Sequence, residues 1–277
     1  TVQHASFPPF RSAASRTVHG SATAIPNGYH PRMDKLSHTF GEQAVDPTER
    51  EQLIRRVFSR VAPRYDLMND LMSMGIHRLW KRRFARAADA RPGQVIVDLA
   101  GGTGDVAALL AGRDRTVIVC DPSREMMDAG RERDLREIRW LAGTGEALPL
   151  AGGSVDTLTS AVGIRNVTSM ESALAGILRV LRPGGRFLCL EFSRPVAPVR
   201  PFYEVFNRTV IPRLGAWVSR NPEAYRYLIE SIRRFPDQRE FQGILEQAGF
   251  IDVRWRNQSF GIACLHEGTR PPNVGTD

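Results

Sequence analysis

The chain has 277 residues, with 38 lysines and arginines against 30 aspartates and glutamates, which gives a formal net charge of +8. A composition of 42% hydrophobic and 25% charged residues is ordinary for a globular protein and excludes a disordered chain or a fibrous repeat. The length suits one large domain or two small ones with ample core, and no apolar stretch approaches the ~18–20 residues that a membrane span requires.

The first residues differ in composition from the rest of the chain. Residues 1–33 are rich in Ser, Ala and Pro, contain arginine but no aspartate or glutamate, and show no apolar period. Arginine with serine and no acid is typical of a mitochondrial transit peptide, while a start of translation at Met33 would also explain the segment. We expect residues 1–38 to be a disordered head or leader without a catalytic role.

Helical and strand patterns alternate beyond this head. Helices are predicted from Pro47 to Val61 and then at 70–88, 105–112, 123–133, 170–181 and 237–248. Strands are predicted at 95–98, 116–120, 139–142, 156–161, 186–191, 251–257 and 260–266, and a proline-rich insertion at 194–222 interrupts the rhythm. This order predicts an α/β fold with a doubly wound sheet, mostly parallel, to which a final hairpin adds one antiparallel strand.

A glycine-rich loop follows the first strand of the predicted sheet. The loop and its flanks supply the candidate cofactor ligands Asp98, Gly101, Gly102, Thr103, Gly104 and, at the end of the next strand, Asp121. Glycines let the backbone approach a ligand, and an acid after the second strand can bind both hydroxyls of a ribose. The loop also satisfies a loose dinucleotide pattern, so a nicotinamide-dependent oxidoreductase stays an alternative.

Two further motifs favour a different nucleotide cofactor. Gly145–Pro149 follows the third predicted strand, and Leu181–Gly185 precedes the fifth. Together with Asp98 at the end of the first strand, they resemble the ordered motifs of class I S-adenosylmethionine (SAM)-dependent methyltransferases. The resemblance implies a Rossmann-like fold and SAM as cofactor, with Asp121 at the ribose and Thr144 and Gly145 closing over the adenine.

Four longer runs are more specific. They are Tyr65–Lys81, Gly163–Thr168, Arg179–Ser193 and Tyr225–Gln238. These runs resemble the ubiquinone/menaquinone biosynthesis C-methyltransferase family, and the resemblance covers roughly residues 40–268. It implies SAM-dependent C-methylation of a ring carbon in a polyprenyl benzoquinol, a demethylmenaquinol or both, with methylation of another phenolic small molecule as an alternative.

The resemblance also implies a domain organisation. Residues 39–268 would form the methyltransferase domain, with an N-terminal helical cap at 39–90 and a substrate lid at 194–235, and residues 269–277 would form a flexible tail. One departure concerns the serine that the family often has before the aromatic-Gly-x-Arg-Asn stretch. Ala161 stands at that position here, and Ser160, one residue earlier in a strand, is expected to face the opposite side.

Methylation of a ring carbon requires the quinol to lose a proton and the developing phenolate to be stabilised. Arg165 is our first candidate for the phenolate side, with Asn166 orienting it or the substrate; a structural ion pair of Arg165 with an acid at the sheet edge is the alternative. Asp66 and His77 are the candidate bases, because a histidine titrates near neutrality. Tyr65 and Asn69 are expected to line the same wall.

The substrate's polyprenyl tail requires an apolar path, which the proline-broken insertion offers. Phe202, Tyr203 and Phe206 are the candidate tail contacts, and arginines interleaved with apolar residues there fit an interfacial lid that touches a membrane. A helical cap packed on the core is the alternative. We therefore expect a cytoplasmic protein associated peripherally with the membrane, or one on the matrix side of the mitochondrial inner membrane if the head is a transit peptide.

Other partners and functions are weighed on composition and motifs. Lys35 and Lys81 are the two lysines of the chain, and so strong an arginine bias reflects codon usage better than nucleic-acid binding. Cys120, Cys189 and Cys264 lie in apolar runs and predict buried thiols, and neither a disulfide nor a metal site is expected. A quinone-biosynthesis complex and a homodimer stay open, whereas the intact Asp98, Asp121 and Arg165 argue against a catalytically inactive scaffold in such a complex.

Overall fold

The computed structural model describes residues 38–40, 43–61, 67, 69–70, 73–133, 135, 137–206, 209 and 222–273. The predicted head up to residue 37 and residues 274–277 of the predicted tail lie outside this part of the chain, as do Tyr65 and Asp66. The fold that follows is therefore that of the region in which the remaining predicted site residues lie.

The helices that position the site have the following bounds. They are α1 Pro47–Val61, α2 Ile76–Ala88, α3 Asp105–Leu110, α4 Arg124–Arg131, α5 Met170–Val180, α6 Arg200–Val205, α7 Pro222–Arg234 and α8 Gln238–Gln247. The strands are β1 Thr39–Phe40, β2 Gln43–Ala44, β3 Val95–Leu99, β4 Thr116–Asp121, β5 Ile138–Ala142, β6 Val155–Ala161, β7 Leu181–Phe192, β8 Ile251–Gln258 and β9 Ala263–Thr269. A 3₁₀ turn, Ile164–Asn166, follows β6.

The described residues form one large sheet with the strand order β5-β4-β3-β6-β7-β9-β8. The first five of these strands are mutually parallel, whereas β9 runs antiparallel to both β7 and β8. The predicted doubly wound, mostly parallel sheet with one antiparallel strand is confirmed. The strand order reverses between β3 and β6, and the crevice above such a switch point is where α/β sheets bind ligands.

Two hydrophobic clusters cover the two faces of the sheet. One packs α5 and α8 against one face, through residues such as Leu174 and Phe241. The other packs α2, α3 and α4 against the opposite face, through residues such as Phe84 and Met127. Strands buried on both faces read as continuous apolar runs, which is why β3 and β4 were recognisable in the sequence.

One predicted helix is wrong in its bounds. The single helix expected over 70–88 begins at Ile76, because Met74 and Gly75 both adopt positive φ angles, of 50° and 75°. This turn separates α2 from the residues before it and lets Asp70 approach the first turn of α2. Among the described residues, no helix is long and apolar enough to cross a membrane.

Candidate active site

A cavity of about 430 Å³, called here the large cavity, opens at the carboxyl ends of β3, β4 and β6. Its floor is formed by the loops after these strands, including Ala100, Gly102 and Gly163, and α1 covers it through Ile54 and Phe58. Helix α1 therefore covers the crevice that the strand order creates. The turn Thr144–Glu146 and the segment 166–169 complete the wall.

Asp98, the last polar residue of β3, is buried beneath the glycine loop. Its Oδ1 accepts a hydrogen bond from the Thr159 hydroxyl at 2.9 Å, whereas Oδ2 has no partner among the described residues. A Cβ on Gly101 would lie 2.7 Å from this Oδ2, so only glycine leaves the approach open. Burial raises the pKa of Asp98 to about 7.

Asp121 ends β4 and lines the large cavity. Its two carboxylate oxygens accept the backbone N–H groups of Gly102 at 2.9 Å and Ser123 at 2.8 Å. Burial raises the pKa of Asp121 to about 6, and these two bonds oppose that rise. Because a carboxylate offers about four acceptor sites, Asp121 is held in place and still has lone pairs for a ligand.

The predicted cofactor residues after β5 belong to the wall of the same cavity. Thr144 and Gly145 line it, and Thr144 Oγ1 accepts the N–H of Ala147 at 3.2 Å. Glu146 accepts the N–H groups of Thr168 and Ser169 and so ties this turn to the segment after the 3₁₀ turn. Of the loop residues, Gly102 lines the cavity, whereas Thr103 is buried and Gly104 caps α3.

Helix α5 fixes the turn at Gly145 through a close approach at Gly176. A Cβ on Gly176 would lie 2.5 Å from the Gly145 carbonyl oxygen, which belongs to the backbone and cannot rotate away. We expect Gly176→Ala to displace the turn, to destabilise the fold by about 1–3 kcal/mol and to weaken SAM binding in a calorimetric titration.

Gly243 in α8 offers the matched control. A Cβ there meets nothing within 4 Å, so Gly243→Ala should raise the free energy of unfolding by about 0.5–1 kcal/mol and leave SAM binding unchanged. Equal effects of the two substitutions on SAM affinity would show that the approach at Gly176 does not set the position of the turn.

The end of β6 separates two sides of the site. The expectation that Ser160 faces away from the cofactor side is wrong: its buried hydroxyl lines the large cavity and has no partner among the described residues. Ala161 lines a second cavity instead, and Val162 lines both. Val162 has a φ of 60°, a left-handed conformation that a β-branched residue rarely adopts. This strain turns the chain between the two cavities.

The second cavity, called the small cavity, has a volume of about 40 Å³. It shares Phe58 and Val162 with the large cavity, and its wall contains three predicted site residues, Asn69, His77 and Arg165. The structure therefore brings the predicted base His77 and Arg165, the residue predicted to stabilise the phenolate, into one cavity that adjoins the large cavity. Asp66 and Tyr65 lie outside the described residues.

Arg165 is buried, with 2% of its side chain exposed, and forms an ion pair with the equally buried Glu191. Its Nη1 donates to Glu191 Oε2 at 2.9 Å and to the Val162 carbonyl at 2.7 Å, and its Nε donates to the Ser231 hydroxyl at 3.3 Å. Burial raises the pKa of Glu191, and the guanidinium opposes this rise. This geometry is that of a structural ion pair, which the sequence analysis gave as the alternative to a role at the phenolate. Arg165 nevertheless also lines the small cavity.

A second buried arginine binds the 3₁₀ turn from α1. Sequence reasoning missed this residue. Arg50 in α1 donates to the carbonyl of Val167 at 2.9 Å and to that of Asn166 at 3.3 Å. Asn166 lines the large cavity, and its Oδ1 accepts the Tyr227 hydroxyl at 2.8 Å. The Tyr227 ring stacks on Phe40. Residues 164–167 are thus clamped between α1 and α7.

A third cavity, called the apolar cavity, has a volume of about 300 Å³. The predicted tail contacts Phe202, Tyr203 and Phe206 all line it. It shares the wall residues Ser73, Trp80 and Phe192 with the small cavity. The three cavities therefore follow one another from the glycine loop to the protein surface, with common walls at each junction.

The large cavity and the buried acid beneath its glycine loop fit SAM. Asp98 lies beneath the loop rather than on the cavity wall, and its unpartnered Oδ2 beside Gly101 is an acceptor suited to a cationic amino group. Asp121 lines the cavity and is fixed where ribose hydroxyls would meet it. Ser123 and Met126 line the same cavity as Asp121. Among the described residues no cluster of possible metal ligands occurs.

Comparisons with known sequences agree with this geometry. Residues 47–270 match the sequence model described as the ubiE/COQ5 methyltransferase family. The chain is 65% identical over 235 residues to the ubiquinone/menaquinone biosynthesis C-methyltransferase UbiE of Rubrivivax gelatinosus, covering 85% of this chain and 94% of the relative. It is 48% identical over 249 residues to the protein of the same name from Caulobacter vibrioides, covering 85% of this chain and 99% of the relative.

Solved structures support the fold. The chain is similar to a SAM-dependent methyltransferase from Thermotoga maritima, with a TM-score of 0.58 and 20% sequence identity over 78% of this chain and 98% of the other. At that level of identity the similarity concerns the arrangement of strands and helices and not the substrate.

Proposed function

The chain belongs to the ubiE/COQ5 methyltransferase family, and from this premise we propose that it methylates a ring carbon of a polyprenyl quinol in ubiquinone or menaquinone biosynthesis. The observation that carries the proposal is the row of three adjoining cavities. The large one offers acidic ligands for SAM, the small one offers a histidine and an arginine, and the third is apolar. Each suits one part of the reaction.

SAM, when bound, supplies an electrophilic methyl group on a sulfonium sulfur. Asp98, buried beneath the glycine loop, would accept from its amino group through the unpartnered Oδ2, and Asp121 on the cavity wall would accept from its ribose hydroxyls. Thr144 and Gly145 would close over the adenine of SAM, and the Ser160 hydroxyl, which lines the same cavity, would supply a further hydrogen-bond donor to the cofactor. Binding at this depth excludes water from the methyl group, because α1 covers the cavity.

The quinol ring is placed by the wall that the large and small cavities share. Phe58 and Val162 contact it from either side, while Asn69 and His77 face it from the small cavity. The Arg165–Glu191 pair keeps the segment 164–167 rigid, and the arginine's positive charge beside the ring favours the developing phenolate. Holding ring and methyl at near-attack distance supplies a large part of the rate.

We propose the apolar cavity as the path of the polyprenyl tail. Its lining is largely hydrocarbon, and Phe202 and Met74 at its wall are 78% and 77% exposed. Within the predicted cap at 39–90, α1 covers the large cavity, whereas α2 packs on the sheet; residues 194–235 are the proposed lid. Exposed apolar side chains where a lipid-soluble substrate enters also support peripheral membrane contact.

Vesicle flotation tests this contact. Phe202→Ser together with Val205→Ser should lower the partitioning of the chain onto phosphatidylglycerol vesicles by about tenfold or more, because two exposed apolar side chains are lost. Leu109→Ser is the matched control, since Leu109 is an exposed apolar residue of α3 that does not line the apolar cavity. Unchanged partitioning of the double variant would contradict the membrane role.

Methyl transfer from labelled SAM tests the activity itself. The purified chain is incubated with a short-chain demethylmenaquinol or with the corresponding benzoquinol, each under reducing conditions, and the label is located by mass spectrometry. We expect a methyl group on a ring carbon of at least one quinol. Label on oxygen would indicate another phenolic methyltransferase, and no transfer to either quinol would contradict the proposed function.

A further inference from the structure

His77 has one ring nitrogen hydrogen-bonded to Asp70 and the other without a partner among the described residues. Its Nε2 lies 2.8 Å from Asp70 Oδ1, across the turn at Met74 and Gly75. Its Nδ1 is buried and has no hydrogen-bond partner among the described residues, and the side chain lines the small cavity. A buried acceptor without a hydrogen-bond partner costs about 1–3 kcal/mol. A ligand that donates a hydrogen bond to Nδ1 is therefore the simplest explanation for this buried, unpaired nitrogen.

We propose that Asp70 and His77 form a catalytic dyad, in which Asp70 accepts the Nε2 hydrogen and thereby leaves the Nδ1 lone pair of His77 to take a proton from the quinol hydroxyl. This proposal rests on the proposed function and adds Asp70 to it as the residue that positions His77. Asp70 is fixed in turn by Arg78, whose Nε donates to Oδ1 at 2.7 Å and whose Nη2 donates to Oδ2 at 2.5 Å.

The proton transfer balances in simple steps. The quinol O–H bond breaks, an N–H bond forms at His77 Nδ1, and the electron pair left on oxygen enters the ring. The ring carbon uses that pair to bond the methyl group, whose bond to sulfur breaks with its electrons staying on sulfur. His77 returns its proton to the oxygen as the ring carbon loses its own hydrogen, so one proton is released per methyl group.

Burial favours the neutral form of His77, in which it is able to act as a base. Burial lowers its pKa, and Asp70 opposes that effect. Lys81 on the same helix lowers the pKa of His77 further, while Asp105 at the start of α3 raises it. Arg165 also lines the small cavity. A base must be unprotonated to work, so turnover should fall on the acid side of this pKa.

Two substitutions test the dyad in the full-length enzyme with a short-chain quinol. His77→Gln should lower kcat by about 10²- to 10⁴-fold, and Asp70→Asn by about 10- to 100-fold, because the imidazole loses its fixed tautomer. The acid limb of the Asp70→Asn profile should also move to lower pH, since the carboxylate that raises the pKa of His77 is gone. SAM affinity measured by calorimetry should stay unchanged in both.

Arg91→Gln is the control, because it removes an exposed arginine that pairs with Asp89 just after α2 and lines none of the three cavities. We expect its kcat to stay within about threefold of the parent enzyme. An Asp70→Asn enzyme with the parent's kcat or an unmoved acid limb, or one that loses SAM affinity together with kcat, would overturn the dyad. Absence of transfer by the parent enzyme would instead overturn the proposed function.

Discussion

Replacing Arg165 with methionine is expected to lower the free energy of unfolding by about 3–5 kcal/mol, because the substitution leaves the buried carboxylate of Glu191 without its positively charged partner. Glu191 is 1% exposed and receives both its side-chain ion pair and a backbone N–H bond from Arg165. Without the guanidinium, the pKa of Glu191 rises further in the folded state. The destabilisation should therefore be larger at pH 8 than at pH 5, where Glu191 can take up a proton. Urea unfolding followed by circular dichroism measures it.

The double variant Arg165→Met with Glu191→Leu separates charge from packing. Removing both charges with similar volumes should restore most of the lost stability. If Arg165 also stabilises the phenolate, the double variant stays slow in methyl transfer although it is folded and binds SAM. Full turnover by this variant would remove Arg165 from the mechanism and leave it the structural role alone, while an unchanged unfolding curve in the single variant would contradict the structural role.

The fold followed closely from the sequence because its signals are local. Strand β4 is an apolar run that ends in an acid, β3 is one with an acid next to its last residue, and the turn before β3 is marked by Pro92-Gly93. The start of α2 did not follow, because the helical spacing continues through residues 70–75 while Met74 and Gly75 break the backbone with positive φ angles. The spacing of apolar residues gives no indication of this interruption of the helix.

The site followed only in part, because ion pairs join residues far apart in the chain. Glu191, an acid within an apolar strand, carried a usable signal: such a residue is rarely buried without a partner. Arg50 carried none, since an arginine in an amphipathic helix ordinarily faces solvent. Asp70 stood inside a recognised run, yet only the turn after it shows that it meets His77. Three-dimensional partners, and not residue types, decide these roles.

Position 160 shows how one residue of register alters a functional prediction. The alternation of a strand correctly separates Ser160 from Ala161, but the sequence does not say which face meets the cofactor. The reversal of strand order between β3 and β6 decides it, because the loops after these two strands meet where Gly163 approaches Ala100. A Cβ on Gly163 would lie 2.5 Å from that of Ala100. The close contact brings Ser160 onto the wall of the large cavity.

Asp98→Asn is expected to stabilise the protein without SAM and to weaken its binding of SAM. Burial raises the pKa of Asp98 from 3.8 to about 7, so the folded state binds more protons than the unfolded state between these values and Asp98 costs stability as pH rises through 7. Asparagine keeps an acceptor for Thr159 and removes the buried charge. At pH 8 the gain should be about 1–3 kcal/mol in the free energy of unfolding.

The same charge is what SAM requires. Losing a charge-assisted hydrogen bond from the amino group to Oδ2 should weaken SAM binding by about 10- to 100-fold at pH 8. In the parent enzyme, affinity should rise between pH 6 and pH 8, because binding favours ionised Asp98 and releases its proton; the variant should lose that dependence. Asp156→Asn, which removes an acid at the start of β6 that pairs with Arg182, is the control and should leave SAM affinity unchanged. A more stable variant with undiminished SAM affinity would mean that the free oxygen of Asp98 serves the fold and not the cofactor.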